Sequence, residues 1–598
     1  MRRSHKLPFG AEYLGEGETR FTLWAPAAKR VELSLEDGER VAMRRGEDGV
    51  FAVTAAAEPG ARYRYLVDDE QGVPDPASRY QPEDVHGPSQ VVDLEAFEWR
   101  DEDWKGRPWE ETVLYELHVG SFSPEGTFGE VKDKLDHLVE LGVTAVELMP
   151  LADFPGGCNW GYDGVLPYAP DSSYGTPEDL KELVQAAHEK GLMVFLDVVY
   201  NHFGPEGNYL NVYAPQFFTE RHATPWGAAI NFDGDESRQV REYFIHNALY
   251  WIEEYHIDGL RLDAVHAIVD ESEKHVLEEL AERVQGGPGR DRHVHLVLEN
   301  EANAARYMRD GLYRAQWNDD FHNALHVALT GETSGYYGGY ADAPMRLLAR
   351  CLAEGFAYQG EPSQYRDGEK RGESSADLPA TSFVSFLQNH DQVGNRAFGE
   401  RITRLAQPEA VRAAAAMYLL SPQIPMLFMG EEWAAEEPFL FFCDFEEDLA
   451  PLVTEGRREE FAKFPEFSDP ETRERIPDPS ERETFEMSVL DWDDAKEHRS
   501  WLELYKELLR LRREEIVPRL EGISGGRAEC HLVGDRGLRA RWTLGDGSVL
   551  TLLANLGDEP LDGFDDAPGR LLYATREVKR EGRELPAWSV AWYLEEND

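Results

Sequence analysis

At four places in the middle of the chain a polar cluster follows directly on an apolar run, and its residues are of types that can cleave an acetal. DVVYNHF supplies Asp197, Asn201 and His202, and GLRLDAVHAI supplies Arg261, Asp263 and His266. LVLENEAN supplies Glu299, and QNHDQVGNR supplies His390, Asp391, Gln392 and Arg396. A fifth, weaker run leads into Asp319, Asp320 and His322. Acetal cleavage needs a carboxylic acid to protonate the leaving oxygen and a carboxylate facing the anomeric carbon. A carboxylate beside an arginine stays ionised, as a nucleophile must. An acid pushed toward neutrality by burial or by neighbouring carboxylates can donate its proton near neutral pH.

Each residue alone has a plainer reading. A lone Asp at a strand end caps a helix or forms a turn. Asp197 lies inside its apolar run and reads as a buried acid that orients its neighbours. His322 is either a ligand contact or a helix cap. Trp160, Tyr162, Trp226, Phe356 and Tyr358 are either core residues or sugar-stacking platforms. Tyr162 has the best case for a platform, because it lies in the loop after the second expected strand. Carboxylates at the ends of three separate apolar runs are harder to explain away than any one of them.

The elements that must carry these residues are legible from about residue 112. Thr112 to His118 and Val143 to Met149 read as strands buried on both faces, as do Met193 to Val199, Ile257 to Leu262 and His295 to Leu298. Gln316–Trp317 is weak, and Phe383 to Leu387 and Ile424 to Phe428 complete eight. Between them lie amphipathic helices. One places Val131, Leu135, Leu138 and Val139 on one face and stops at Gly142. The next starts with Thr176 as N-cap, Pro177 at the first position and Asp179 at the third, buries Leu180, Leu183, Val184 and Ala187, and ends at Gly191. Eight such units predict a (β/α)₈ TIM barrel over residues 112–515, whose active site lies at the strand C-terminal ends. A long excursion, 200–236, exceeds a simple loop and predicts substrate-binding surface. A helix from about Ser500 to Arg513 closes the region.

Flanking the barrel are β-rich segments. Residues 1–95 alternate apolar and polar residues in Phe21–Trp24, Val31–Leu35 and Tyr63–Val67, with turns at Glu36-Asp37-Gly38 and Asp68-Asp69-Glu70. This predicts an N-terminal β-sandwich, joined by a linker over 96–111. After Pro518, His531–Val533, Leu538–Trp542, Val549–Leu553 and Val590–Leu594 predict a C-terminal β-sandwich over 516–598. The fold class is therefore α/β, a TIM barrel between two β domains.

The net charge of -53 opposes nucleic acid and anionic membranes, and leaves an uncharged small-molecule substrate unopposed. No apolar run is long enough to span a membrane, and MRRSHKLPFG lacks the apolar stretch of a signal peptide. Cys158, Cys351, Cys443 and Cys530 lie far apart, as reduced thiols of a cytoplasmic protein would. No metal-ligand cluster or cofactor motif is evident, so no metal and no cofactor are expected. Oligomeric state is not encoded in any pattern we can read.

Taken together, DVVYNH, GLRLDAVH, the Glu299 of LVLENE and QNHDQ resemble the four signature regions of the α-amylase family (glycoside hydrolase family 13). The resemblance implies Asp263 as nucleophile, Glu299 as general acid/base and Asp391 as transition-state stabiliser, with retention and the first two about 5–5.5 Å apart. It also implies that Arg261, His202 and His390 hold the sugar. Tyr162, Asn201, His266, Asp320, His322, Gln392 and Arg396 are further expected substrate contacts. Longer strings, among them DVVYNHFGPEGNYL, TPWGAAINFD, QWNDDFHNALH and IPMLFMGEEW, resemble the members that release trehalose from maltooligosyltrehalose. FTLWAPAA resembles the carbohydrate-binding, immunoglobulin-like sandwich shared with isoamylases and branching enzymes. His266 stands where many amylases have lysine, and Glu301 follows Glu299 closely enough to be mistaken for the acid. Two rival readings share the plan: a glycogen branching or debranching enzyme, and a catalytically inactive glucan-binding subunit.

Overall fold

The computed structural model describes residues 7–597, except Asp37, Asp69, Glu70, Gln364, Tyr365, Asp367, Glu447 and residues 579–583. Asp37, Asp69 and Glu70 of the two expected N-terminal turns therefore lie outside the described residues.

Eight parallel strands close into one barrel in chain order. They are β1 (Leu114–Leu117), β2 (Ala145–Leu148), β3 (Met193–Val198), β4 (Gly259–Leu262), β5 (His295–Leu298), β6 (Ala315–Trp317), β7 (Phe383–Phe386) and β8 (Ile424–Phe428). Each is buried throughout, which is why the sequence shows continuous apolar runs. The expected TIM barrel is thus present, with strand ends within two residues of those read from sequence. The weak sixth strand is only three residues long, and it still pairs with both neighbours.

Helices cover the outside: α1 (Phe128–Leu141), α2 (Pro177–Glu189), α3 (Ser237–Glu254), α4 (Val276–Gly286), α5 (Asp319–Thr330), α6 (Pro344–Glu354), α7 (Pro408–Leu419) and α8 (Arg499–Leu511). In α2, Thr176 and Asp179 form the reciprocal capping box, with Pro177 at the first position. In α1, Val131, Leu135 and Leu138 are buried, but Val139 is 39% exposed. Val139 lies a full helical step of about 100° from Leu138, at the edge of the apolar stripe rather than inside it. The excursion after β3 is ordered by a hairpin, Phe218–Thr224 with Gly227–Ile230.

Before the barrel, two antiparallel sheets face each other. One has strand order Gly10–Gly15, Glu18–Trp24, Val50–Ala56, Arg44–Arg45. The other has Arg40–Ala42, Val31–Leu35, Arg62–Val67, Gln71–Val73. Phe21, Leu23, Val31, Leu33, Tyr63 and Tyr65 fill the space between. After the barrel comes a five-stranded antiparallel sheet in the order Ala528–Val533, Gly537–Thr543, Val549–Asn555, Ser589–Glu595, Arg570–Ala574. It lies against the barrel: Trp542 Nε1 donates to Leu352 O at 3.0 Å and Trp592 Nε1 to Ala416 O at 2.9 Å.

The segment joining sandwich to barrel seals the barrel floor. Trp109 sits under the strand N-termini, packed with Phe195, Val297 and Trp317, and its Nε1 donates to Thr381 O at 2.7 Å. Trp104 stacks on His188 at 4.7 Å and donates to Asp258 at 2.8 Å. His188 in turn bridges Asp258 and Asp101, at 2.9 and 2.8 Å. With its bottom closed and its top open, the barrel has one usable mouth.

Candidate active site

Asp197 is the fifth residue of β3, Arg261 the third of β4, and Asp263 and Glu299 directly follow β4 and β5. Parallel pairing puts Arg261 opposite Asp197, so both reach the same layer of the mouth. The Arg261 guanidinium is wholly buried and organises the acids around it. Its Nη1 lies 2.7 Å from Asp197 Oδ2 and 2.7 Å from Asp263 Oδ1, and its Nη2 lies 3.9 Å from Glu299 Oε2. Its Cζ lies over the Trp317 ring, 4.1 Å from the centroid. One cation thus stands among three carboxylates, a position that suits arginine, since a planar fork reaches several oxygens at once.

Asp263 is fixed on its other oxygen by Asn201, whose Nδ2 donates at 3.2 Å. Just after it, Ala264 takes a left-handed backbone (φ +40°), which turns its N–H onto Glu299 Oε2 at 2.7 Å. A non-glycine residue held there is strained, and the strain goes into aiming two carboxylates at one point. Burial pushes the Glu299 carboxyl well above the usual range, and the negative charges of Asp263, Asp319 and Asp391 push it further. Arg261 opposes this without cancelling it. This shift favours the protonated form of Glu299, the state a general acid needs.

Across the mouth, Asp391 is the second residue of the short helix His390–Gly394 after β7 and is nearly half exposed, with Asn395 Nδ2 donating to it at 3.1 Å. His390 lies beside it, Nε2 3.6 Å from Asp391 Oδ1. Its Nδ1 and backbone N–H both meet the buried carboxylate of Glu116, at 2.6 and 3.0 Å. Although burial alone would lower it, the charges of Glu116 and Asp391 raise the His390 pKa to about 9. The Tyr162 ring stacks on His390 at 5.1 Å, and its hydroxyl donates to Asp197 Oδ2 at 2.6 Å. His202 meets Asn201 Oδ1 at 2.6 Å and Tyr162 O at 3.0 Å, and the exposed ring of Trp226 stacks on it at 4.9 Å. Burial raises the Asp197 pKa to about 6 against the pull of Arg261. Shared between Arg261 and Tyr162, Asp197 holds both in place.

A cavity of about 230 Å³ opens at Glu299 and Asp391 and is lined further by Glu301, Asp319, Tyr358 and Arg371. Its character is a few carboxylates and an arginine among aromatic rings, as recognition of a neutral polyol requires.

Models of known families match three stretches of the chain. They are the carbohydrate-binding module 48 (isoamylase N-terminal domain) at 8–82, the α-amylase catalytic domain at 89–221, and a domain of unknown function at 525–592. The malto-oligosyltrehalose trehalohydrolase of Saccharolobus solfataricus is 45% identical over 515 residues, covering 85% of this chain and 87% of its own. That of Deinococcus radiodurans is 44% identical over 512, covering 84% and 82%. The chain belongs to the malto-oligosyltrehalose trehalohydrolase family. A crystal structure of a putative α-amylase from Salmonella typhimurium has a TM-score of 0.93 with 46% identity, over 98% of this chain and 99% of that one.

Within this trehalohydrolase framework the structure gathers Tyr162, Asn201, His202, Arg261, Asp263, Glu299, His390 and Asp391 at one point. Gln392 lines the cavity while its Oε1 caps Asn389 N at 3.0 Å. His266 stands at the rim beside Glu301, Nε2 to Oε2 3.8 Å. Three expected contacts do not reach that point. Asp320 is wholly buried, and Arg371, Tyr340, Asn303 and the backbone N–H groups of Ala357 and Tyr358 occupy its oxygens. Its neighbour Asp319, one step of about 100° round α5, lines the cavity instead, its pKa raised to about 7 by burial and by Asp391. His322 is buried between Leu387 O and the Tyr337 hydroxyl, at 2.8 and 3.1 Å. Arg396 is held bidentate by Glu332 at 2.8 and 2.9 Å, and faces a neighbouring cavity. Of the aromatic candidates, Trp160 and Phe356 are core, Tyr358 is buried with one edge on the cavity wall, and Trp226 is exposed.

Sequence reasoning also passed over Glu116 and Glu147, and it named Asp319 without giving it a contact. Glu116 and Glu147 face the barrel interior from β1 and β2. An acid in the middle of each otherwise apolar strand, YEL and VEL, was the available signal.

Proposed function

We propose that this chain hydrolyses the α-1,4 bond joining a maltooligosaccharide to a terminal trehalose unit, with retention, releasing trehalose and a shortened maltooligosaccharide. The observation that carries the chemistry is the single buried guanidinium of Arg261 spanning Asp197, Asp263 and Glu299. The kinship with named trehalohydrolases carries the choice of substrate.

In this reading Asp263 Oδ2 attacks the anomeric carbon of the maltooligosyl unit, and the bond to the trehalose oxygen breaks. Glu299 gives its proton to that oxygen, so trehalose leaves neutral. A water then gives a proton to the Glu299 carboxylate and attacks the same carbon, and Asp263 leaves as carboxylate. Asp391 and His390 hold the hydroxyls of the distorted ring, where a partly exposed carboxylate and an imidazolium lie side by side. Tyr162 supplies a stacking face, with His202 and Asn201 along its edge. His266 and Gln392 are further substrate contacts, and Asp319 replaces Asp320 in that role. The partner is thus a small uncharged oligosaccharide.

We also propose domain limits near residues 95 and 516. Four free thiols, three of them buried, support a reducing, cytoplasmic setting.

Chromatography of products from maltotriosyltrehalose and maltopentaose, supplied side by side, tests the reading. Trehalose from the first substrate, formed much faster than any cleavage of the second, is expected. Equal cleavage of both would make the chain a general α-1,4 amylase, and activity only on branched glucan would favour the branching or debranching reading.

A further inference from the structure

Beside the catalytic cavity lies a second one, of about 280 Å³, that the reaction above does not use. Its walls come from the α5–α6 connection and the segments after β7 and β8. Tyr336 and Asn395 line both cavities and form the wall between them. Asn395 is the residue that donates to Asp391 at 3.1 Å.

The lining is aromatic with charged edges. Phe461, Phe464 and Phe467 form one cluster, with ring centroids 5.8 and 5.4 Å from Phe461, and Phe398 closes it at 6.0 Å from Phe467. Phe464 and Phe467 are only partly buried, so ring faces remain open. Gly335 (φ +60°) lies against the Phe464 ring, where a Cβ would meet it at 3.4 Å, an ordinary contact. The cluster is built rather than incidental. Arg457 ties the segment Ala450–Phe461 to the β7 loop through Gly394 O at 2.8 Å, and its guanidinium covers Phe461 at 4.8 Å. On the opposite wall Glu332 holds Arg396 in a bidentate pair and takes His326 Nε2 at 2.8 Å. Opposed charges are thereby balanced before any ligand arrives.

Open ring faces with polar groups at their rims suit a pyranose, which offers an apolar face and a belt of hydroxyls. The chain's charge of -53 disfavours an anion. The position selects which part of the substrate. Glu299 protonates the leaving trehalose, so trehalose lies toward Glu299, Glu301 and His266, on the loops after β4 and β5. The second cavity lies past Asp391 and Asn395, against the segments after β7 and β8. We propose that it is a remote binding site for the maltooligosyl chain, taking uncharged α-1,4-linked glucose units distant from the bond that breaks. This inference rests on the reaction proposed above for its direction, and on the cavity alone for its ligand.

The test is chain-length dependence in Phe464→Ala and Phe467→Ala, with Phe464→Trp as a variant that keeps a ring. For maltopentaosyltrehalose, each alanine variant should raise KM about three- to tenfold with kcat kept. Maltosyltrehalose, too short to extend so far, should show the wild-type KM, and Phe464→Trp should stay near wild type with both. KM raised equally for both substrates, or for neither, would overturn the proposal. If the wild type released no trehalose at all, the reaction would fail rather than the cavity. Calorimetric affinity for maltohexaose would then decide: weakened in Phe464→Ala if the site binds glucan, unchanged if it does not.

Discussion

At the scale of residues, the site places the buried Arg261 among many acids, and burial sorts their protonation. Burial and three neighbouring carboxylates raise the Glu299 pKa and favour its protonated form, so kcat/KM should fall as pH rises through that pKa. Glu299→Gln keeps the shape but has no proton to give, and should lose about 10²–10⁴-fold in kcat, read from the rate of trehalose release. A loss below about tenfold would move the acid elsewhere, with Glu301 the first alternative.

His390 gives a separate expectation, for stability. Its pKa is raised from 6.5 to about 9, chiefly through Glu116, so the folded state binds the proton more tightly than the unfolded one. The stabilisation is then fully present below about pH 6.5 and lost as pH rises through about 9. The melting-temperature deficit of Glu116→Gln should accordingly be largest near about pH 6 and shrink by about pH 10. A deficit that grew with pH would contradict the assignment of that pair. The triad was legible because a charged residue at the end of an apolar run stands out. Asp320 and His322 were misplaced because they sit on the first turn of α5. There, rotation of about 100° per residue decides which side chain faces the cleft, and sequence does not give the starting angle.

At the scale of elements, the barrel strands were readable as buried runs and α2 as a capped amphipathic helix. What the sequence hid was the use of the connection before β1. Read alone, residues 96–111 are acidic with scattered tryptophans, and nothing local says that Trp109 meets Thr381, far along the chain. Trp109→Ala would open a hole beneath the barrel and orphan the Thr381 carbonyl, costing about 3–5 kcal/mol. Chemical denaturation should show this as a lowered midpoint. A change under about 1 kcal/mol would mean that the floor is held by the strands alone. By contrast, Thr176→Ala removes only the cap of α2 and should cost about 1 kcal/mol.

At the scale of the whole molecule, the barrel and its two β domains share one surface of very high negative charge. The C-terminal sheet packs its two large tryptophans, Trp542 and Trp592, on barrel helices, so its buried face is a packing surface. Self-repulsion weakens as salt screens it, so the melting temperature should rise between about 0.01 and 0.15 M salt. A neutral substrate feels none of that field, so kcat/KM should stay nearly constant over the same range. A steep salt dependence of kcat/KM would point to a charged substrate and against an oligosaccharide.

The central claim is a retaining cleavage next to trehalose, and real-time proton NMR of maltotriosyltrehalose hydrolysis tests it most directly, because one spectrum reports both products and the anomer formed first. Retention at that bond requires trehalose and the α-anomer of maltotriose to appear together, with the β-anomer growing in only by mutarotation. The β-anomer first, or glucose and maltose without trehalose, would contradict it.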